Sequence, residues 1–206
     1  MATGGVERGK RLAAQCQGWI CFEDEAGQTL RPPKARTWSR RGQTPVIGVS
    51  GKGSGRVSIS GLVCLRPGHR SRLFYRTVVH RGRKGERRSF AETDYIALLD
   101  AAHHRLQAPI VVIWDNLNTH VSAAMRDLIA ARDWLHVIRL PAYAPELNPT
   151  EHVWSHLKAS LGNLAANGLD HLTAIVKNRL KRLQYRPDLI DAFFAHTGLT
   201  FEPEPE

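Results

Sequence analysis

The sequence predicts an α/β domain in which a mixed β-sheet carries helices on both faces. Three observations lead there. Three or four strand-like segments come first, with no helix between them, so they can pair as an antiparallel meander. From Phe90 onward the pattern alternates helix, strand, helix, strand, helices, so each later strand arrives after a helix and can lie parallel to a neighbour. Between those helices sits Ile110–Trp114 (IVVIW), a continuous apolar run suited to a central strand buried on both faces.

The elements follow in order. Residues 1–17 read as a frayed lead-in, with one helical turn around Arg11–Gln15. Gly18–Glu23 (GWICFE) is the first strand, and Asp24-Glu25-Ala26-Gly27 behind it can make a hairpin turn. Leu30–Pro45 is a loop rich in Pro, Gly and Arg. Val46–Ser50 reads as a short strand and Gly51–Gly55 as a turn. Arg56–Leu65 sets Val57, Ile59, Gly61 and Val63 on one face at the strand period. After the Pro67-Gly68 turn, Arg72–Val79 is the next strand and His80–Arg88 a basic loop. Phe90–Leu106 is helical, with Ile96, Leu99 and the Ala101-Ala102 pair at helical spacing. Val121–Trp134 is a helix with Met125, Leu128 and Ile129 on one side, and His136–Leu140 a short strand. Pro149–Leu164 carries the stripe Val153, Trp154, Leu157, Leu161 and Leu164. Leu169–Gln184 is a basic amphipathic helix and Pro187–His196 a last short one. Residues 18–197 thus form one domain, and 198–206 an acidic, Pro-rich, disordered tail.

A chain of 206 residues buries enough surface to fold without staples. Hydrophobic content of 42% and charged content of 23% exclude a disordered or fibrous chain. No apolar run approaches the 18 or so residues of a membrane span, and Met1–Lys10 lacks the apolar core of a signal peptide. Cys16, Cys21 and Cys64 are an odd set with no C-x-x-C, which argues against a disulfide framework or a zinc finger. They fit a reducing cytoplasm, with Cys21 and Cys64 as small buried hydrophobes in strands. Net charge is +10, yet residues 31–88 hold sixteen Lys or Arg against Glu86 alone. That block is +15, so the remainder is −5. Such a basic block suggests a nucleic-acid face, although Lys and Arg also guard exposed strand edges.

Three acids stand where strands or helix starts deliver side chains. Asp24 follows the first strand, Asp115 follows the buried central strand, and Glu151 lies in the first turn of a helix. In an open α/β sheet, ligands bind outside the strand ends. Carboxylates gathered beside a basic surface call for a cation, and hard divalent ions take oxygen ligands. Two such ions can assist an in-line phosphoryl displacement. Each acid also has a plain structural role: Asn148-Pro149-Thr150-Glu151 is a well-formed helix start, and Asp115-Asn116 a strand-to-turn exit.

Four segments, FEDEAG, RTWSRRGQTP, VIWDNLNTH and LPAYAPELNPTEHVWSHLK, together resemble the catalytic domain of bacterial IS630-type transposases, within the Tc1/mariner group. The resemblance runs from about Trp19 to Leu164, and 35 residues separate Asp115 from Glu151, in the range of that group's D-D-E triad. It implies an RNase H-like fold with a mixed five-stranded sheet. It implies that Asp24, Asp115 and Glu151 bind metal, Mg²⁺ with Mn²⁺ as substitute, two ions in all. The implied chemistry is DNA strand cleavage by water and strand transfer through a DNA 3′-hydroxyl, with no covalent protein intermediate. Partners would be insertion-sequence ends and TA-containing target DNA, in the nucleoid of a bacterial cytoplasm. Action as a dimer on paired ends is implied too, although no dimer seam is legible. Relatives carry helix-turn-helix domains ahead of this one, and the 17 residues before the first strand leave no room for one. The chain therefore reads as a second frame needing a helix-turn-helix partner, or as a truncated remnant that grips DNA without cutting.

Other residues invite weighing. Arg36, Arg40, Arg41 and Lys52 in the basic block are candidate DNA contacts. Lys158, seven residues after Glu151, shares its helix face and is another. Alternation should point Glu23 and Glu25 away from Asp24. His120 reads as a loop histidine with a structural hydrogen bond near Asp115. His152 and His156 have a metal-like i, i+4 spacing but read as surface groups, lacking a third histidine nearby. Trp38 can stack on a base, but packing over the sheet edge is the favoured expectation. Trp154 reads as core.

Overall fold

One five-stranded sheet organises the chain, in the order β3-β2-β1-β4-β5. Its strands are β1 (Trp19–Thr29), β2 (Arg56–Leu65), β3 (Arg72–His80), β4 (Ile110–Trp114) and β5 (Leu135–Arg139). The computed structural model describes residues 4–46, 48, 55–87, 89–140 and 145–199. The expected strand at 46–50, the turn at 51–55 and the acidic tail lie largely outside that set, although Val46 and Gly48 are described and are not in a strand.

The first three strands form an antiparallel meander, while β4 and β5 join β1 in parallel. The sheet is therefore mixed, as the helix-free start and alternating second half require. Alternation along each strand feeds two cores. Val57, Ile59, Val63, Val111 and Ile113 point to one face, and Leu62, Cys64, Ile110, Val112 and Trp114 to the other. The first face is covered by α1 (Gly4–Gln15), α5 (Pro149–Ser160), α6 (Leu169–Gln184) and α7 (Pro187–His196). The second is covered by α2 (Glu92–Leu106) and α4 (Ala123–Ala130). Cys21 and Cys64 are register partners, buried among apolar groups, and burial pushes the Cys21 thiol up. Among the described residues, no helix is long and apolar enough to cross a membrane.

Three differences from the sequence reading have physical causes. The lead-in is a full helix, α1, docked on the sheet through Val6, Gly9 and Ala13. Its stripe is made of small residues, and a Cβ on Gly9 would lie 3.0 Å from Ile113 Cδ1, so close approach replaces bulk. The expected helix from Val121 is split into α3 (Asn118–Val121) and α4, because Ser122 leaves helical geometry and its hydroxyl accepts from the Met125 N–H at 3.1 Å. Finally, Asp24–Gly27 makes no turn. β1 runs on to Thr29 because β2 offers partners as far as Thr29↔Arg56.

Candidate active site

The parallel pairing of β1 with β4 ends at Phe22↔Ile113. Asp24 and Asp115 each lie two residues further on, so neighbouring strands deliver them just past the end of their mutual pairing. Pairing with β2 continues past that point and keeps Asp24 in regular strand opposite Gly61.

The start of α5 is stitched onto this strand end. The Thr150 hydroxyl donates to the Phe22 carbonyl at 2.9 Å, and the Asn148 side-chain amide donates to the Glu23 carbonyl at 3.4 Å. Asn148 also caps the helix, its Oδ1 accepting from the Thr150 N–H at 3.1 Å. Glu151 follows at once and is half-buried beside Asp24. Capping and delivery of Glu151 are thus the work of one short segment. One turn later, the Trp154 indole N–H donates to Asp24 Oδ2 at 3.0 Å. Trp154 fits there because Gly61 has no side chain: a Cβ would sit 2.6 Å from its Cη2.

Electrostatics record the convergence of the acids. The Asp24 carboxyl is pushed up to about 7, first by burial, then by the charge of Glu151, with Asp115 adding to it. Hydrogen bonds from the Glu25 N–H and Trp154 oppose that rise without cancelling it. Asp115 behaves oppositely. Burial would raise it, but bonds from His120 and the Leu117 N–H, together with the His120 charge, hold it below the usual carboxylate range.

Glu23 and Glu25 project to the other face, as alternation requires. There they meet a network that the sequence did not disclose. His120 is buried, lies on α3 rather than in a loop, and stacks flat on Trp114 with ring centroids 4.2 Å apart. Its Nδ1 is 3.0 Å from Asp115 Oδ1. Its Nε2 is 3.4 Å from Glu23 Oε2, a contact without hydrogen-bond alignment. Glu23 Oε1 accepts from the Ser60 hydroxyl at 2.6 Å, and burial pushes the Glu23 carboxyl well up. Tyr95 donates to Glu25, whose carboxyl burial also raises. The only sequence signal for this network was the five-residue step from Asp115 to His120.

The remaining candidates are scattered. Arg36, Arg40 and Arg41 are exposed on the segment joining β1 to β2, and Lys158 is exposed on α5. Lys52 lies outside the described residues. Trp38 does not pack over the sheet edge: it is 99% exposed, because its segment leaves the sheet altogether. His156 is exposed, while His152 is half-buried against Phe193 with His196 nearby. Trp154 is core and also a hydrogen-bond donor. Among the described residues, no three His, Cys, Asp or Glu side chains are gathered tightly enough to enclose an ion by themselves.

The sequence profile of the DDE superfamily endonucleases matches residues 19–172. No protein of curated function matches the sequence. Among solved structures, the chain is similar to a Mos1 transposase paired-end complex with the left transposon end, at TM-score 0.56 and 17% identity, over 96% of this chain and 60% of that one. It is similar to the Mos1 strand transfer complex at TM-score 0.58 and 16% identity, over 98% and 62%. It also matches the Mos1 transposase catalytic domain with Raltegravir and Mn, at TM-score 0.53 and 15% identity, over 98% and 94%. These likenesses show the fold, which is RNase H-like. The chain spans about 60% of the length of the Mos1 chains in the DNA complexes.

Proposed function

The chain belongs to the DDE superfamily endonucleases, and from that premise we propose that it is a transposase catalytic domain cutting and joining DNA strands with divalent cations held by Asp24, Asp115 and Glu151. The observation that carries this reading is that β1, the end of β4 and the first turn of α5, stitched to β1 by Thr150 and Trp154, bring three acids together, and burial and the charges of Glu151 and Asp115 accordingly push Asp24 up to about 7. An all-oxygen cluster with uncompensated repulsion suits Mg²⁺ or Mn²⁺. Mos1 structures hold both metals. Two such cations, when bound, supply charge stabilisation on both sides of an in-line phosphoryl displacement.

The chain's own residues do the rest. Asp24 feels the charge of both other acids and would give up its proton on taking a cation. The Trp154 indole and the Glu25 N–H fix the orientation of its carboxylate. His120 and the Leu117 N–H hold Asp115 ionised and oriented. The stitched first turn of α5 holds Glu151 rigidly, as a ligand requires. Arg36, Arg40, Arg41 and Lys158, all exposed, would hold phosphates, which positions DNA without reading its sequence. The finer reading follows the resemblance of the four motifs: an IS630-type insertion-sequence transposase acting on element ends and TA-containing targets. In it a helix-turn-helix module addresses the ends, and two copies work together.

Nicking of supercoiled plasmid tests the proposal. Wild type should nick with Mg²⁺ or Mn²⁺ and not with EDTA, and Asp115→Asn and Glu151→Gln should each abolish it. Folded wild type that binds DNA in a salt-sensitive way yet never nicks would favour a non-catalytic remnant instead.

A further inference from the structure

Residues 34–46 are exposed throughout, yet the segment is firmly rooted. At its base, Asn163 clasps Ala35 from both sides. Its Oδ1 accepts from the Ala35 N–H at 3.1 Å, and its Nδ2 donates to the Ala35 carbonyl at 2.8 Å. The Asn163 N–H adds a third bond, to the Pro33 carbonyl at 3.0 Å. Asn163 does this from a left-handed backbone, φ 58°, which asparagine tolerates. The neighbouring Gly162 makes room, since a Cβ there would meet the Ala35 Cβ at 2.4 Å. Beyond this clasp the segment runs out to a tight turn, closed by the Gln43 N–H on the Arg40 carbonyl at 2.9 Å, with Gly42 at φ 81°. The clasp lies just past the end of α5, twelve residues from Glu151, or roughly 18 Å by helix rise.

We propose that residues 36–43 are a nucleic-acid-gripping arm, in which the Trp38 indole stacks on an unpaired base while Arg36, Arg40 and Arg41 meet the flanking phosphates, and that the Asn163 clasp fixes where this arm leaves the domain. Two features name the occupant. Residues 31–41 hold Arg31, Lys34, Arg36, Arg40 and Arg41 with no acid, which selects a polyanion. Among those cations stands an aromatic ring exposed at 99%, and every base presents a π-face that can cover it. The inference rests on DNA being the substrate and adds a place where a strand is held open.

Fluorescence anisotropy tests it, with a labelled single strand of about 20 thymidines and, separately, its duplex with adenosines, each across a salt series. Trp38→Ala should weaken single-strand binding about tenfold and duplex binding less, leaving the salt dependence unchanged. Trp38→Phe should keep most of the affinity. The triple change of Arg36, Arg40 and Arg41 to Gln should flatten the slope of log affinity against log salt by about two. Asn163→Gly keeps the left-handed backbone but removes the side-chain clasp, and should weaken single-strand binding about threefold with melting temperature unchanged. Trp38→Ala binding both probes like wild type overturns the proposal, as does equal loss on both. Loss of self-association in place of DNA affinity overturns it in favour of a protein partner. Wild type that binds neither probe overturns the DNA reading itself, so the two failures are distinct.

Discussion

Gly61→Ala perturbs the site from the far side of the sheet pairing. The added Cβ would lie 2.6 Å from Trp154 Cη2 and 2.9 Å from Cζ2, closer than carbon atoms approach, against a ring only 1% exposed. The ring must tilt, or β2 must move away from α5. Overpacking of this kind costs about 1–3 kcal/mol, while replacing a strand glycine returns roughly 0.5–1 kcal/mol of backbone entropy. The clash wins, and a net loss of about 1.5 kcal/mol should lower the melting temperature by roughly 3–6 °C in a domain of this size. Because the same ring donates to Asp24 at 3.0 Å, metal-dependent nicking should fall as well. A double-mutant cycle isolates the cause. Trp154→Phe removes the atoms that clash, so Gly61→Ala should be neutral or mildly stabilising in that background, a coupling of about 2 kcal/mol. Thermal and urea denaturation measure it. Equal cost of Gly61→Ala in both backgrounds would refute the packing argument.

Other expectations concern charge. Asp24 has a folded pKa of about 7 against an ordinary 3.8, so the folded chain binds the extra proton between those values and metal-free stability must fall as pH rises through that window. Asp24 alone contributes at most about 4 kcal/mol to that fall. Asp24→Asn should therefore stabilise the metal-free protein at pH 8 and erase the stabilisation that Mn²⁺ should give wild type, both read by thermal melts. His120→Ala should lower nicking about 10–100-fold and move the acid limb of its pH profile upward, since Asp115 loses the bond that keeps it ionised. His120→Asn, which can still donate, should recover part of the rate, and a variant with an unchanged profile would show that His120 serves packing alone.

Regular elements were legible where one face is plainly apolar. The alternation of Val57, Ile59 and Val63 fixed β2, and the stripes of α6 and α7 set their bounds to the residue. The α1 helix was not, because a stripe of Val6, Gly9 and Ala13 has little hydrophobic contrast and acquires meaning only against Ile113 and Ile138. Asp24 was legible as a candidate, but its place in mid-strand was not. Only the long pairing with β2 turns a plausible hairpin sequence into strand. The three acids could be named from motif and spacing, since strand ends and a capped helix start are local features. The Glu23–Ser60 bond, the Trp154 donation across Gly61 and the Asn163 clasp join residues 37 to 130 positions apart, and one sequence carries no local trace of them.

The central claim is that Asp24, Asp115 and Glu151 form one divalent-cation site. Iron-directed cleavage tests it most directly: Fe²⁺ replaces the cation, ascorbate and peroxide generate hydroxyl radicals, and the broken peptide bonds are mapped by mass spectrometry. Cuts should cluster near residues 24, 115 and 151, be suppressed by excess Mg²⁺, and vanish in Asp24→Asn. Cuts centred instead on His196, or cuts near 115 that persist undiminished in Asp24→Asn, would contradict the account.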